Sequence, residues 1–307
     1  MPNLKLSRRA ALAAGVSFSF VPRTGVAQAA RDDTEGGIGG TGIVGVLTDF
    51  GSLIVAGARV QQDAGTLYTD AFGAIAASDL AVGDSLTVEA AGAPGELIAR
   101  RVHLTHLVIG TVSSIQPRAG LVVNGVNIRT GIVLSDVAIG DRVAISGVWH
   151  KSGIIASRVT RTTNAQDLIA GDIDRIGVAS RIGPTALRGR GTRFMDRGTF
   201  LTGIGLFDNE TGILRVSEAG TGRFTGAAGP LQRLRVEGFL SETDSAPGYR
   251  VTGLGHSFER TLSLAPYAEG RTLFTGPYTG RFAADRATRL PEDTAARRAL
   301  MRRLSAE

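Results

Sequence analysis

The chain has 307 residues, of which 43% are hydrophobic and 20% charged, with 42 glycines, 6% aromatics and no cysteine. This is the composition of an ordinary folded chain, and its glycine content favours short strands and tight turns over long helices. The lack of cysteine excludes disulfides, thiolate metal sites, a thiol nucleophile and a cysteine-borne lipid anchor.

At the start of the chain Lys5, Arg8 and Arg9 precede a weakly apolar run from Ala10 to Val21, then Pro22, Arg23 and Ala27-Gln28-Ala29. Basic, apolar and small-residue regions in that order predict an export signal over residues 1–29, cut after Ala29. The run is shorter than the roughly 20 apolar residues of a membrane span, and Gly15, Ser17 and Ser19 interrupt it. Ser7-Arg8-Arg9-Ala10-Ala11-Leu12 resembles a twin-arginine signal, although Ala11 and Ala13 stand where bulkier residues are usual, so the general secretory route stays open. The expected address is the periplasm or the exterior, with no transmembrane segment in the mature chain. The formal charge is +6, and removing the four basic residues of the leader leaves +2, which does not support nucleic-acid binding.

A flexible linker over residues 30–40 leads into internal repeats. The first, over 41–106, and the second, over 107–164, align at four places. Gly42-Ile43-Val44-Gly45-Val46-Leu47 matches Leu107-Val108-Ile109-Gly110-Thr111-Val112, and Leu53-Ile54-Val55-Ala56-Gly57-Ala58 matches Leu121-Val122-Val123-Asn124-Gly125-Val126. Asn124-Gly125 is a favoured two-residue hairpin turn. Leu80-Ala81-Val82-Gly83-Asp84 aligns with Val137-Ala138-Ile139-Gly140-Asp141, each followed by strict alternation, and Leu97 to Val102 aligns with Ile154 to Val159. Strands this short in units this small bury their edges best by closing, which predicts small five-stranded barrels like the oligonucleotide/oligosaccharide-binding (OB) fold.

A third, diverged repeat is predicted over 165–261, opening with Leu168-Ile169-Ala170-Gly171 and interrupted by a basic insertion at 181–207. Within it Leu231 to Phe239 is expected in the place of the Gly-Asp strand, and Tyr249 to Leu254 as the closing strand. Residues 262–289 lack a period and read as an extended strap, and 290–306 as a helix. Pro291, Glu292 and Asp293 mark that helix's start, and Arg297, Arg298, Arg302 and Arg303 suit the negative end of its dipole. The fold class is thus all-β, with tandem OB-like barrels and a short C-terminal helix.

The Gly-Asp turns, the alternation after them and the glycine hairpins resemble bacterial exported proteins with tandem copies of the domain of unknown function 5666. The resemblance covers roughly residues 41–162, with a weaker extension to about 261. It implies small β-barrel domains and a cell-envelope location, and brings no reaction with it.

Asp84 and Asp141 recur, but an Asp after Gly fixes its own turn through backbone hydrogen bonds. His103 and His106 have a helical metal-ligand spacing, yet along a strand that spacing points them to opposite faces. Trp149 beside His150 reads as a ring filling a barrel rim. No catalytic residue, cofactor site or metal site is predicted. The candidate binding surface is the insertion, where Arg181, Arg188, Arg190, Arg193 and Arg197 with Phe194 suit an acidic glycan or an acidic envelope protein. The expected function is a non-catalytic periplasmic or cell-envelope binding or assembly module, the alternatives being an exported enzyme with an unrecognised site or a structural spacer.

Overall fold

The computed structural model describes residues 39–116, 120–131, 136–176, 179–193, 195–242, 249–254, 258–259 and 263–306. The expected leader, including Arg8, Arg9, Ala27 and Ala29, lies outside them, as do Phe194 and His256.

The first ring is built from strands Gly40–Asp49, Leu53–Val55, Ala58–Gln61, Ser85–Ala91 and Leu97–Leu104. Its first strand pairs with the second and the fourth, the second with the third, the third in parallel with the fifth, and the fifth with the fourth. The sheet therefore closes on itself. The second ring repeats every one of these pairings with Val108–Gln116, Gly120–Val123, Val126–Thr130, Arg142–His150 and Gly153–Arg161. These two barrels and the single short helix give the predicted all-β, OB-like class.

The same order continues in a third set of strands and, in part, in a fourth, where no pairing joins the second strand to the third among the described residues. In the third set the first strand is broken at Ile173 into Asp167–Asp172 and Asp174–Ile176, followed by Ala179–Ile182, Thr185–Gly189, Phe200–Asp208 and Ile213–Thr221. Its pairings follow the first ring, with Asp174–Ile176 on the second strand and Asp167–Asp172 on the fourth. The expected insertion at 181–207 is therefore no insertion. It supplies barrel strands, with Ile182 buried on one and Thr185 and Leu187 buried on alternate positions of the next.

The fourth set opens with Leu231–Gly238 and Leu240–Glu242, so this segment is a first strand and not the Gly-Asp strand of the third unit. Tyr249–Val251 pairs with it as a second strand, and Phe258–Glu259 lies parallel to Phe282–Ala283 as the third does to the fifth. Thr272–Pro277 pairs with Leu231–Gly238 and with Arg286–Arg289. Residues 262–289 are accordingly sheet for much of their length, where a strap was expected. Their period is hidden because the strands are short and Pro266 and Gly280 fall in the stretches outside them.

One glycine recurs where each first strand bends to serve both flanks of its ring. A Cβ would lie 2.9 Å from Ala56 Cβ at Gly45, 2.1 Å from Asn124 Oδ1 at Gly110, 2.7 Å from Ile182 Cγ2 at Gly171 and 2.6 Å from Val251 Cγ1 at Gly238. Two residues further on, the carbonyls of Leu47, Val112 and Ile173 accept from the amides of Gly83, Gly140 and Gly198 at 2.7–2.9 Å. The hairpins Ala56-Gly57 and Asn124-Gly125 both have positive φ at two successive residues, the backbone of a tight two-residue turn.

Rings join through their first strands. Gly40–Asp49 runs parallel to Leu231–Gly238, and Val108 and Ile109 pair with Ile169 and Leu168. The first strand of the chain is consequently buried on both faces, Ile43 and Leu47 inward and Val44 and Val46 outward. The helix Thr294–Leu304 starts later than expected because Asp293, its cap, accepts from the Ala296 amide at 2.7 Å. Met301 packs fully buried into the core of the first ring, with Leu300 and Leu304 against it.

Buried ions fix these rings to one another. Glu89 is fully buried and accepts from the amides of Thr225, Gly226 and Ala227 and the Thr225 hydroxyl at 2.7–2.9 Å, with Arg101 at 3.3 Å. It clamps the 222–229 connection onto the first ring. Arg223 donates to the Gly253 carbonyl and, at 2.9 Å, to the Thr87 hydroxyl, and stacks 3.9 Å above the Phe200 ring. Burial lowers its pKa to about 10, so it stays charged. Between the first two rings Arg158 pairs with buried Asp84 at 2.7 Å, and the Ser85 hydroxyl bonds both the amide and the carbonyl of Gly147.

Glu89→Ala removes the acceptor of three backbone amides and the ion-pair partner of Arg101, and should lower stability by roughly 3–5 kcal/mol in urea unfolding; a loss below about 1 kcal/mol would show that the connection is anchored elsewhere. His103, whose Nδ1 faces the Thr69 hydroxyl at 3.0 Å, has its pKa pushed down to about 3 by burial and by Arg101, Arg223 and His106. It is neutral in the fold while the unfolded chain protonates near pH 6.5, so its full stability holds above that pH and drains away toward pH 3. The melting temperature of His103→Gln should fall less steeply than that of the wild type between pH 6.5 and 5, and equal slopes would refute the assignment.

Candidate functional site

The first, second and fourth strand sets and the C-terminal helix leave a cavity of about 870 Å³ where they meet. Val46 and Leu47 reach it from the first strand of the chain, Arg129, His150 and Ile155 from the second ring, and Glu237, Phe239 and Arg271 from the fourth set. The helix contributes Arg297 and Arg298.

Glu237 and Arg271 form its innermost charged pair. Arg271 Nε lies 2.8 Å from Glu237 Oε1, with side chains only 5% and 1% exposed. The other Glu237 oxygen accepts from the Val46 amide at 2.9 Å, so both carboxylate oxygens are committed. Arg271 is not satisfied in the same way: its Nε contact with Glu237 is an ion pair without hydrogen-bond geometry, and neither its buried Nε nor its buried NH2 group makes a hydrogen bond among the described residues. A buried donor on a charged group costs about 1–3 kcal/mol or more when left unmet, and a native protein retains one where a ligand or ordered water completes it.

Around this pair the charge is mainly positive. The Arg129 guanidinium contacts His150 Nδ1, and the His150 ring lies tilted on Phe239 with centroids 4.5 Å apart. Burial lowers the His150 pKa, and Arg129 and Lys151 lower it further, so the ring is neutral and its Nδ1 accepts from Arg129. Arg297 is held by the Pro291 and Glu292 carbonyls, each at 2.9 Å; burial and then the nearby Arg271 lower its pKa. Planar donors with unspent hydrogens beside an apolar wall are chemistry for binding a carboxylate or phosphate. A carboxylate with both oxygens engaged, such as Glu237, is poorly placed to act as a base.

The residues singled out from the sequence are placed elsewhere. Arg181 and Arg188 stand on adjacent strands of the third set, with Arg181 donating to the Pro184 carbonyl and Arg188 exposed beside Arg215. Arg190 and Arg193 are exposed in the connection that follows. Arg197 pairs with Asp174 at 3.0 Å and lines a smaller cavity of about 350 Å³ with Trp149 and Arg250. Asp84 and Asp141 accept from the Ala81 and Ala138 amides at 2.7 and 2.8 Å, as turn-fixing residues do. Trp149 is buried and donates from Nε1 to the Ala170 carbonyl at 2.8 Å.

The sequence reading missed Glu237 and Arg271. One signal was present: in Leu234-Arg235-Val236-Glu237-Gly238 the glutamate immediately precedes the bend glycine, where the chain passes between rings. Arg297 and Arg298 were read only as partners of the helix dipole, although they also face the cavity.

A family model described as a domain of unknown function, DUF5666, matches residues 41–103. That stretch runs through all five strands of the first ring. No curated protein and no solved structure matches the chain. By sequence the first ring is similar to the DUF5666 domain.

Proposed function

We propose that this protein is a non-catalytic binding module of the bacterial cell envelope that takes an anionic ligand into the cavity where the rings meet. The observation that carries the reading is Arg271, whose buried Nε and NH2 groups make no hydrogen bond among the described residues, on the wall of a cavity of about 870 Å³ with further arginines around it. An anion there supplies the missing acceptor and offsets the excess of cations. The envelope address is supported by the order of basic, apolar and small residues over 1–29 and by the exported-protein resemblance of the repeats. No helix among the described residues is long and apolar enough to cross a membrane.

A second reading concerns a partner and not a small molecule. Arg188, Arg190 and Arg193 are exposed on and beside the third strand set, a surface suited to an anionic glycan or an acidic envelope protein. Replacing all three by Ser should abolish retention on a sulfated-glycan column at low salt; unchanged retention would discard this surface.

Two experiments test the leading reading. Native mass spectrometry of the protein released from the periplasm of its own host should show a bound anion as excess mass. The double variant Arg271→Met/Glu237→Gln, which leaves no lone buried charge, should be folded and carry none. Bare mass in the wild type, with no thermal stabilisation by phosphate, sulfate, acetate or decanoate, would overturn the reading. For the address, Arg8→Lys/Arg9→Lys should reduce periplasmic delivery, and undiminished delivery would remove the twin-arginine route.

A further inference from the structure

We infer that the ligand of this cavity is an amphipathic anion, its carboxylate or phosphate head on Arg271 and its apolar body along Val46, Ile155 and Phe239. This rests on the anion-binding reading above and deepens it. Val46, Val148 and Phe239, with Ile155 packed against them, form an apolar cluster of their own, separate from the cores of the individual rings. Its members come from the first ring, the second ring and the fourth set, so the cluster exists only where these three meet. Phe239 sits at the break between Leu231–Gly238 and Leu240–Glu242, and there its side chain reaches the cavity.

Head and body sites are contiguous. Glu237 joins them, with one oxygen on Arg271 and the other on the Val46 amide. An anion completing Arg271 therefore lies beside Val46, and whatever is attached to it runs onto the apolar wall. A cavity of about 870 Å³ is far larger than an inorganic anion needs, and is in the range of pockets that enclose organic ligands of about 300–1,000 Å³. On the rim Arg298 is half-buried and makes no hydrogen bond or ion pair among the described residues, which leaves a second donor near the mouth.

Isothermal titration of the full mature protein with straight-chain carboxylates from acetate to decanoate, and with the matching alkyl phosphates, tests this. Each methylene added against the wall should raise affinity about fourfold until the cavity is full. The series with the tighter binding names the head group. Ile155→Ser, at a half-buried position, should flatten the dependence of affinity on chain length. Arg271→Met/Glu237→Gln should weaken every member of the series alike. Equal affinity for short and long chains would overturn the amphipathic inference and leave the anion reading standing. Failure of every anion to bind would overturn both.

Discussion

Each ring depends on a first strand that can bend. One strand must pair with the second on one flank and with the fourth on the other, and it can do so only where its backbone comes close to the end of the second strand. Gly45, Gly110, Gly171 and Gly238 mark that place, where a Cβ would fall 2.1–2.9 Å from a neighbouring side chain. A methyl group there would force the neighbouring side chain at the end of the second strand to shift. Closure in turn leaves few free edges, and the remaining ones are used to join ring to ring through the first strands.

Rings joined at such close quarters bury polar groups between them, and the structure treats those groups in two ways. Glu89 and Arg223 are satisfied from several sides and act as clamps, so their burial is offset by charge-assisted hydrogen bonds. Arg271 has the same kind of burial and an ion-pair partner, but two of its nitrogens make no hydrogen bond among the described residues. The difference lies in what faces each group. Arg223 faces the Gly253 carbonyl, the Thr87 hydroxyl and the Phe200 ring, whereas Arg271 stands on the wall of the cavity of about 870 Å³. That contrast within one chain is why the cavity reads as a place for a ligand and the other buried ions as structure.

Much of the first half of the molecule was legible in the sequence. The Gly-Asp turns, the Asn124-Gly125 hairpin and the alternation after Gly83 and Gly140 are local signals, each set by the φ angles and hydrogen bonds of a few adjacent residues. The third and fourth strand sets were harder to see because their first strands break at Ile173 and Phe239, and short strands with intervening glycines carry little periodicity. Arginines on the outward positions of Ala179–Ile182 and Thr185–Gly189 gave those strands the look of a basic loop. The cavity was illegible for a different reason: Val46, Arg129, Phe239, Arg271 and Arg297 share no segment and no spacing.

By itself the sequence determined an all-β chain of repeated short strands, its tightest turns and its terminal helix, since these follow from alternation, glycine and capping within a few residues. Only the tertiary structure decided how many strand sets there are, which first strands pair, and what faces the cavity. Alternation tells whether a side chain points into its own ring or away from it. It does not tell what covers an outward face, because that depends on packing between segments nearly two hundred residues apart, such as Val46 and Glu237.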